Sequence, residues 1–128
     1  MRQVLLASLC AAGLLGAAAA QAHHSFSAEF DVNRPLKLTG TVTRVEMVNP
    51  HAWLYIETKD AKGAAQTWAV ELVGINDLLR LGWGRNKVKP GDTIKVDGFG
   101  ARNGTNTANA ISVSMATGEL LWESKQRK

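Results

Sequence analysis

Cysteine, histidine and tyrosine are scarce in this chain: one, three and one of them occur among 128 residues. The single cysteine, Cys10, sits inside an apolar run near the amino terminus. Beyond that run there is no disulfide, no thiolate nucleophile and no cysteine ligand for a structural zinc site. Leu9 is too large a neighbour for a lipoprotein processing site, so a lipid anchor at Cys10 is excluded as well. Nucleophilic catalysis has little to work with. No G-x-S-x-G elbow is present, and Ser25 beside His24 is adjacent in sequence without being oriented by it. "GIND", which opens the helical segment, has one glycine and no lysine and so lacks a phosphate cradle. A strong charge of one sign is missing too. Fifteen Lys and Arg stand against eleven Asp and Glu; Arg2 lies in the leader and Lys125, Arg127 and Lys128 in the tail "SKQRK". The body of the chain is near neutral, without the basic stripe of a nucleic-acid binder, and no nucleic-acid partner is expected.

The amino terminus reads as an export signal: Met1-Arg2, an apolar run from Val4 to Ala20, then Ala20-Gln21-Ala22 as the cleavage pattern. The run is Ala/Gly-rich and at the lower limit for a bilayer span, so no stable membrane anchor is expected and the address is periplasmic. The organisation expected is a signal peptide over residues 1–22, an amino-terminal arm over 23–35, one domain over 36–123 and a basic tail over 124–128. No second domain fits.

Within that domain "LKLTGTVTRVEMV" alternates with Leu36, Leu38 and Val42 on one phase and Val45 and Met47 on the other. The switch predicts one long strand with a bulge or bend at Thr43-Arg44. "HAWLYIET" follows, with Ala52, Leu54 and Ile56 on one face and His51, Trp53, Tyr55 and Glu57 on the other, and "QTWAVEL" is a third strand. In "GINDLLRLG" the apolar spacing is helical, with Asn76 expected to serve the amino end and Gly82 to stop the carboxyl end. Pro90-Gly91 suits a type II turn. "TIKVDGFG" and "AISVSMA" are further strands, the latter with Ile111, Val113 and Met115 expected inward, and Asn103-Gly104 is the tip of the loop between them. "ELLWE" is a short last segment. Three strands, a short helix and two more strands, with a bent first strand, predict a mostly β fold: an OB-like barrel of five to six strands with one short helix between strands 3 and 4. Trp68 is expected in the core, Trp83 as a plug at one barrel end, and Trp122 packed or paired. Glu57, Glu71 and Asp97 read as carboxylates of a solvated face.

The stretches "HHSFSAEFD", "LTGTVTRVEMVNPHAWLYI", "LLRLGW" and "KPGDTIKVDGFGARNGTNTANA" resemble an exported proteobacterial family known as domain of unknown function 6152. The resemblance covers nearly all of the chain after the leader and implies a periplasmic, OB-like domain; it implies no activity. More loosely, the strand order and "KPGDTIKVDG" are similar to periplasmic bacterial OB-fold proteins, a likeness of fold alone.

Chemistry concentrates on the histidines. Cleavage after Ala22 would leave a free α-amine on His23, which can chelate one metal ion together with its own Nδ1. His24 or His51 would complete a tetragonal nitrogen set that favours Cu(II). In unperturbed peptides an α-amine titrates at about 8 and imidazole at about 6.5, so a metal could displace their protons at neutral pH. Asp31, Glu29 or Glu46 could add oxygen ligands. If Phe26 and Phe30 dock on the barrel face that carries His51, Trp53 and Tyr55, His23 and His24 approach His51. The alternative is that Trp53 and Tyr55 merely receive the arm and His51 caps the Asn49-Pro50 turn. The expected function is therefore a non-enzymatic periplasmic metal-binding module with copper as the cofactor. The alternative is a barrel that binds a small molecule or protein partner through Trp53, Tyr55 and His51 without metal. A copper oxidase ranks below both, because nothing marks a substrate site.

Overall fold

A computed structural model describes residues 26–125. A helical turn over residues 26–29 leads into β1 (Phe30–Glu46), followed by β2 (Trp53–Lys59) and β3 (Ala65–Glu71). The helix Ile75–Arg80 comes next, then β4 (Thr93–Ala101), β5 (Thr107–Met115) and β6 (Leu120–Glu123). The strand order is β3-β2-β1-β4-β5-β6, and an added parallel pairing of β3 with β5 closes the first five strands into a ring. That ring, with its helix between β3 and β4, is the OB-like barrel the sequence predicts.

The bent first strand makes closure possible. Its amino-terminal half pairs with β4 and its carboxyl-terminal half with β2, and Thr41 is shared by both ladders. The register with β2 slips between Val42 and Arg44, so the bulge falls on Thr43, where the sequence phase switches. A bulge bends its strand and increases local twist. Gly40 marks the tightest point of this corner: a Cβ there would stand 2.6 Å from the Glu57 carbonyl oxygen. The strand begins at Phe30, earlier than the Leu36 expected. "DVNRP" lacks alternation, yet its backbone follows β4, with Phe30 opposite Ala101 and Pro35 opposite Phe99.

Leu54, Ile56, Val70, Ile94, Val96 and Val113 fill the interior, all fully buried. Trp68, Val45 and Met47 are partly buried against them, and Trp122 packs into the same cluster. The helix closes one end of the barrel with Leu78 and with Trp83, which is 1% exposed. Gly82 adopts φ +86°. The Trp83 N–H reaches the Leu78 carbonyl at 2.9 Å and the Gly82 N–H reaches Leu79 at 3.1 Å, the paired bonds of a Schellman ending. The amino end of the helix differs from expectation. Gly74 is the cap residue and no side chain caps the helix locally; the Asn49 Oδ1 instead accepts the Asn76 N–H at 3.5 Å. Ile111 also departs from expectation. It falls where the β4–β5 register slips, between the Asp97–Ser112 and Gly98–Ala110 pairs, and a bulged residue is re-aimed. Ile111 therefore lines an outer cleft with Phe99 and Pro35 instead of joining the core.

Candidate functional site

His51 lies in the loop between β1 and β2, and that loop is pinned to the segment following β3. The Ala52 N–H donates to the Val73 carbonyl at 3.0 Å, the Leu72 N–H to the Ala52 carbonyl at 2.8 Å, and the Ile75 N–H to Val48 at 3.1 Å. Gly74 is required here, because a Cβ would meet the Asn49 Oδ1 at 2.5 Å and the Pro50 carbonyl oxygen at 2.7 Å. This pinning brings His51 beside Glu71, the last residue of β3, and Nδ1 of His51 pairs with Oε1 of Glu71. The imidazole is 50% exposed while the carboxylate is only 5% exposed.

Glu71 corrects the expectation of a solvated face. Its parity does point it outward, but β3 is flanked there by β2 on one side and by β5 on the other, with Trp53 and Asn109 directly opposite Glu71. Burial pushes the Glu71 carboxyl above its usual range; His51 pulls it back, and the Glu29 carboxylate raises it again. No buried side-chain polar atom among the described residues lacks a partner, and His51 is the ion-pair partner of Glu71.

The influence of Glu29 shows where the arm goes. Residues 26–29 turn back onto the barrel and are held by Arg102, the residue after β4. Its N–H donates to the Glu29 carbonyl at 2.8 Å and its Nε to the Ser27 carbonyl at 2.6 Å. Phe26 stacks on Phe30 with ring centroids 5.5 Å apart, and Phe30 is 3% exposed. Between arm and barrel lies a cleft of about 580 Å³, lined by Glu29, Phe30, Trp53, Arg102 and Thr107 among others.

The sequence-predicted residues thus divide. Trp53 lines the arm cleft, and His51 stands next to Glu71, the cross-strand partner of Trp53. Tyr55 belongs to a different neighbourhood, where the Arg44 guanidinium lies 3.7 Å above its ring and its hydroxyl donates to Glu46 Oε2 at 3.4 Å. Asp31 lies 4.0 Å from the Arg102 guanidinium. His23 and His24 fall outside the described residues, as does the leader of residues 1–22. Among the described residues, no three His, Cys, Asp or Glu side chains are grouped to hold a metal ion, and no helix is long and apolar enough to cross a membrane. A larger cleft of about 700 Å³ opens on the β1–β4–β5 face, where Lys37, Asp97 and Ser112 border Pro35, Phe99 and Ile111; sequence reasoning placed no site there. Glu71 and Arg102 were also missed. Their roles depend on which strands close the barrel, and no local pattern marks that.

No curated protein matches the chain in sequence. Among solved structures it is similar to Rim1, a mitochondrial single-stranded DNA-binding protein from S. cerevisiae. In one crystal form the identity is 10% and the TM-score 0.48, over 64% of this chain and 93% of that one. In another form the identity is 9% and the TM-score 0.49, over 73% of this chain and 97% of that one. The model of a family of unknown function, DUF6152, matches residues 12–110. With most of its length matched, from the leader through the docked arm and into β5, the chain belongs to the DUF6152 family.

Proposed function

We propose that this protein is a periplasmic metal-binding module, with Cu(II) as its metal, that uses the amino-terminal His23 left by signal cleavage together with His24 and His51. The observation that carries the reading is the docked arm. Arg102 and the Phe26–Phe30 stack fix the arm at the cleft that Trp53 lines, and Glu29 of that arm is close enough to influence Glu71, the partner of His51. His24 is two residues from Phe26, a reach of at most about 7 Å, and His23 one residue further. An amine, the imidazole of the same residue and a barrel imidazole form the nitrogen set that suits tetragonal Cu(II). The metal-free alternative, a small molecule or protein held by Trp53, Tyr55 and His51, has weaker support, because Arg44 already covers the Tyr55 ring.

The test begins with the mass of the secreted protein, which reports whether His23 is the first residue. Cu(II) is then titrated into that protein, into a version carrying one extra amino-terminal residue, and into His51→Ala. Both changes should weaken binding. Equal affinity for the extended and native termini would overturn the chelate, and unchanged affinity in His51→Ala would remove the barrel from the site.

A further inference from the structure

Glu71 is the one ionisable residue that is buried among the described residues. A carboxylate taken out of water is costly unless it is paired, and its partner here is Nδ1 of a histidine that is itself half in solvent. The backbone beside both residues is fixed. Glu71 is held in register between Trp53 of β2 and Asn109 of β5. Backbone bonds from Ala52 to Val73 at 3.0 Å and from Leu72 to Ala52 at 2.8 Å clamp the chain next to each. The ring is half exposed and meets the carboxylate through Nδ1, so Nε2 is the nitrogen that Glu71 does not engage.

We propose that Glu71 is a positioning residue: by accepting the Nδ1–H of His51 it fixes the imidazole in one tautomer and one orientation, leaving the Nε2 lone pair free as the nitrogen that takes a metal ion. Metal-bound histidines commonly donate their second ring N–H to a carboxylate in this way, which fixes the tautomer and raises ligand basicity. The assignment of a metal to Nε2 rests on the function proposed above; the tautomer does not. It also gives the buried carboxylate a role beyond the fold, since an apolar residue on β3 would satisfy packing without any pairing.

The experiment uses the secreted protein labelled with ¹⁵N-histidine, with two-bond ¹H–¹⁵N correlation spectra recorded without metal at about pH 8, above the ordinary imidazole range. The His51 signals are assigned by their loss in His51→Ala. The wild type should show Nδ1 protonated and Nε2 bare. Protonation at Nε2 in the wild type would overturn the proposal, whatever the metal affinity. Glu71→Leu removes the acceptor, and Glu71→Gln, nearer in shape should the leucine variant fail to fold, replaces it with an amide that both donates and accepts. In either variant the single tautomer should give way to a mixture, and Cu(II) affinity should fall about 10- to 100-fold. A wild-type Nδ1–H tautomer without any Cu(II) binding would refute the metal-binding reading and leave the positioning role standing. An unchanged tautomer and unchanged affinity in a folded Glu71 variant would refute the positioning role alone.

Discussion

Replacing Phe30 with alanine tests whether the arm belongs to the folded domain. Phe30 is 3% exposed, its ring stacks on Phe26 at 5.5 Å, and its backbone lies opposite Ala101 where β1 begins. Removing a buried phenylalanine ring forfeits about 1.5–3 kcal/mol of transfer free energy. The cavity left behind brings core Phe→Ala changes to about 3–5 kcal/mol. The arm can relax into the gap, so the low end of that range applies, about 3 kcal/mol. For a domain near 100 residues this corresponds to a melting temperature lower by about 12 °C or more. Thermal and urea unfolding followed by tryptophan fluorescence would measure the loss, and Trp53 reports directly because it lines the same cleft as Phe30. Amide exchange supplies the local readout: the Arg102 N–H, which donates to the Glu29 carbonyl at 2.8 Å, should lose protection relative to the core strands. A loss under about 0.5 kcal/mol, the size typical of an exposed surface site, with Arg102 still protected, would refute the docking and with it the approach of the histidines.

Two further outcomes follow from the barrel itself. Gly40→Ala should destabilise the domain by about 1–3 kcal/mol, the range for overpacking, because its Cβ would sit 2.6 Å from the Glu57 carbonyl oxygen, a backbone atom; denaturant unfolding checks this, and a neutral result would mean the corner is not tight. Asp97 is held below the ordinary aspartate value of about 3.9, chiefly by its hydrogen bond from Lys37 at 2.7 Å, with Ser112 assisting. Its stabilising effect is therefore present above that value and is lost as pH falls through the lower folded-state pKa. A carboxyl NMR titration should show Asp97 moving up in Lys37→Ala, and no movement would reject the pairing.

Much of the barrel is legible in the sequence because alternation encodes which face a strand buries. Leu54 and Ile56 point inward and Trp53 and Tyr55 outward by parity alone, and the phase switch in "TVTRV" marks the bulge at Thr43. The Schellman glycine and the type II turn at Gly91, φ +96°, are equally local, since each depends on one residue accepting a positive φ. Ile111 shows where this fails. A bulge in β5 arises from the pairing of two strands, so counting along one strand assigns the wrong face.

The sequence by itself determined the strand alternation, the bend, the turns, the plug at Trp83 and the scarcity of chemical groups, because all of these depend on residues within a few positions of one another. Only the tertiary structure decided that Glu71 is buried, that His51 pairs with it, that Tyr55 is taken by Arg44, and that Arg102 holds the arm. The β1–β2 ladder sets Arg44 opposite Tyr55, the pinned β1–β2 loop brings His51 to Glu71, the parallel closure of β3 on β5 covers Glu71, and the arm folding back across the end of β4 meets Arg102. Such long-range pairings gain their stability from the whole closed sheet, so no single segment carries their signature.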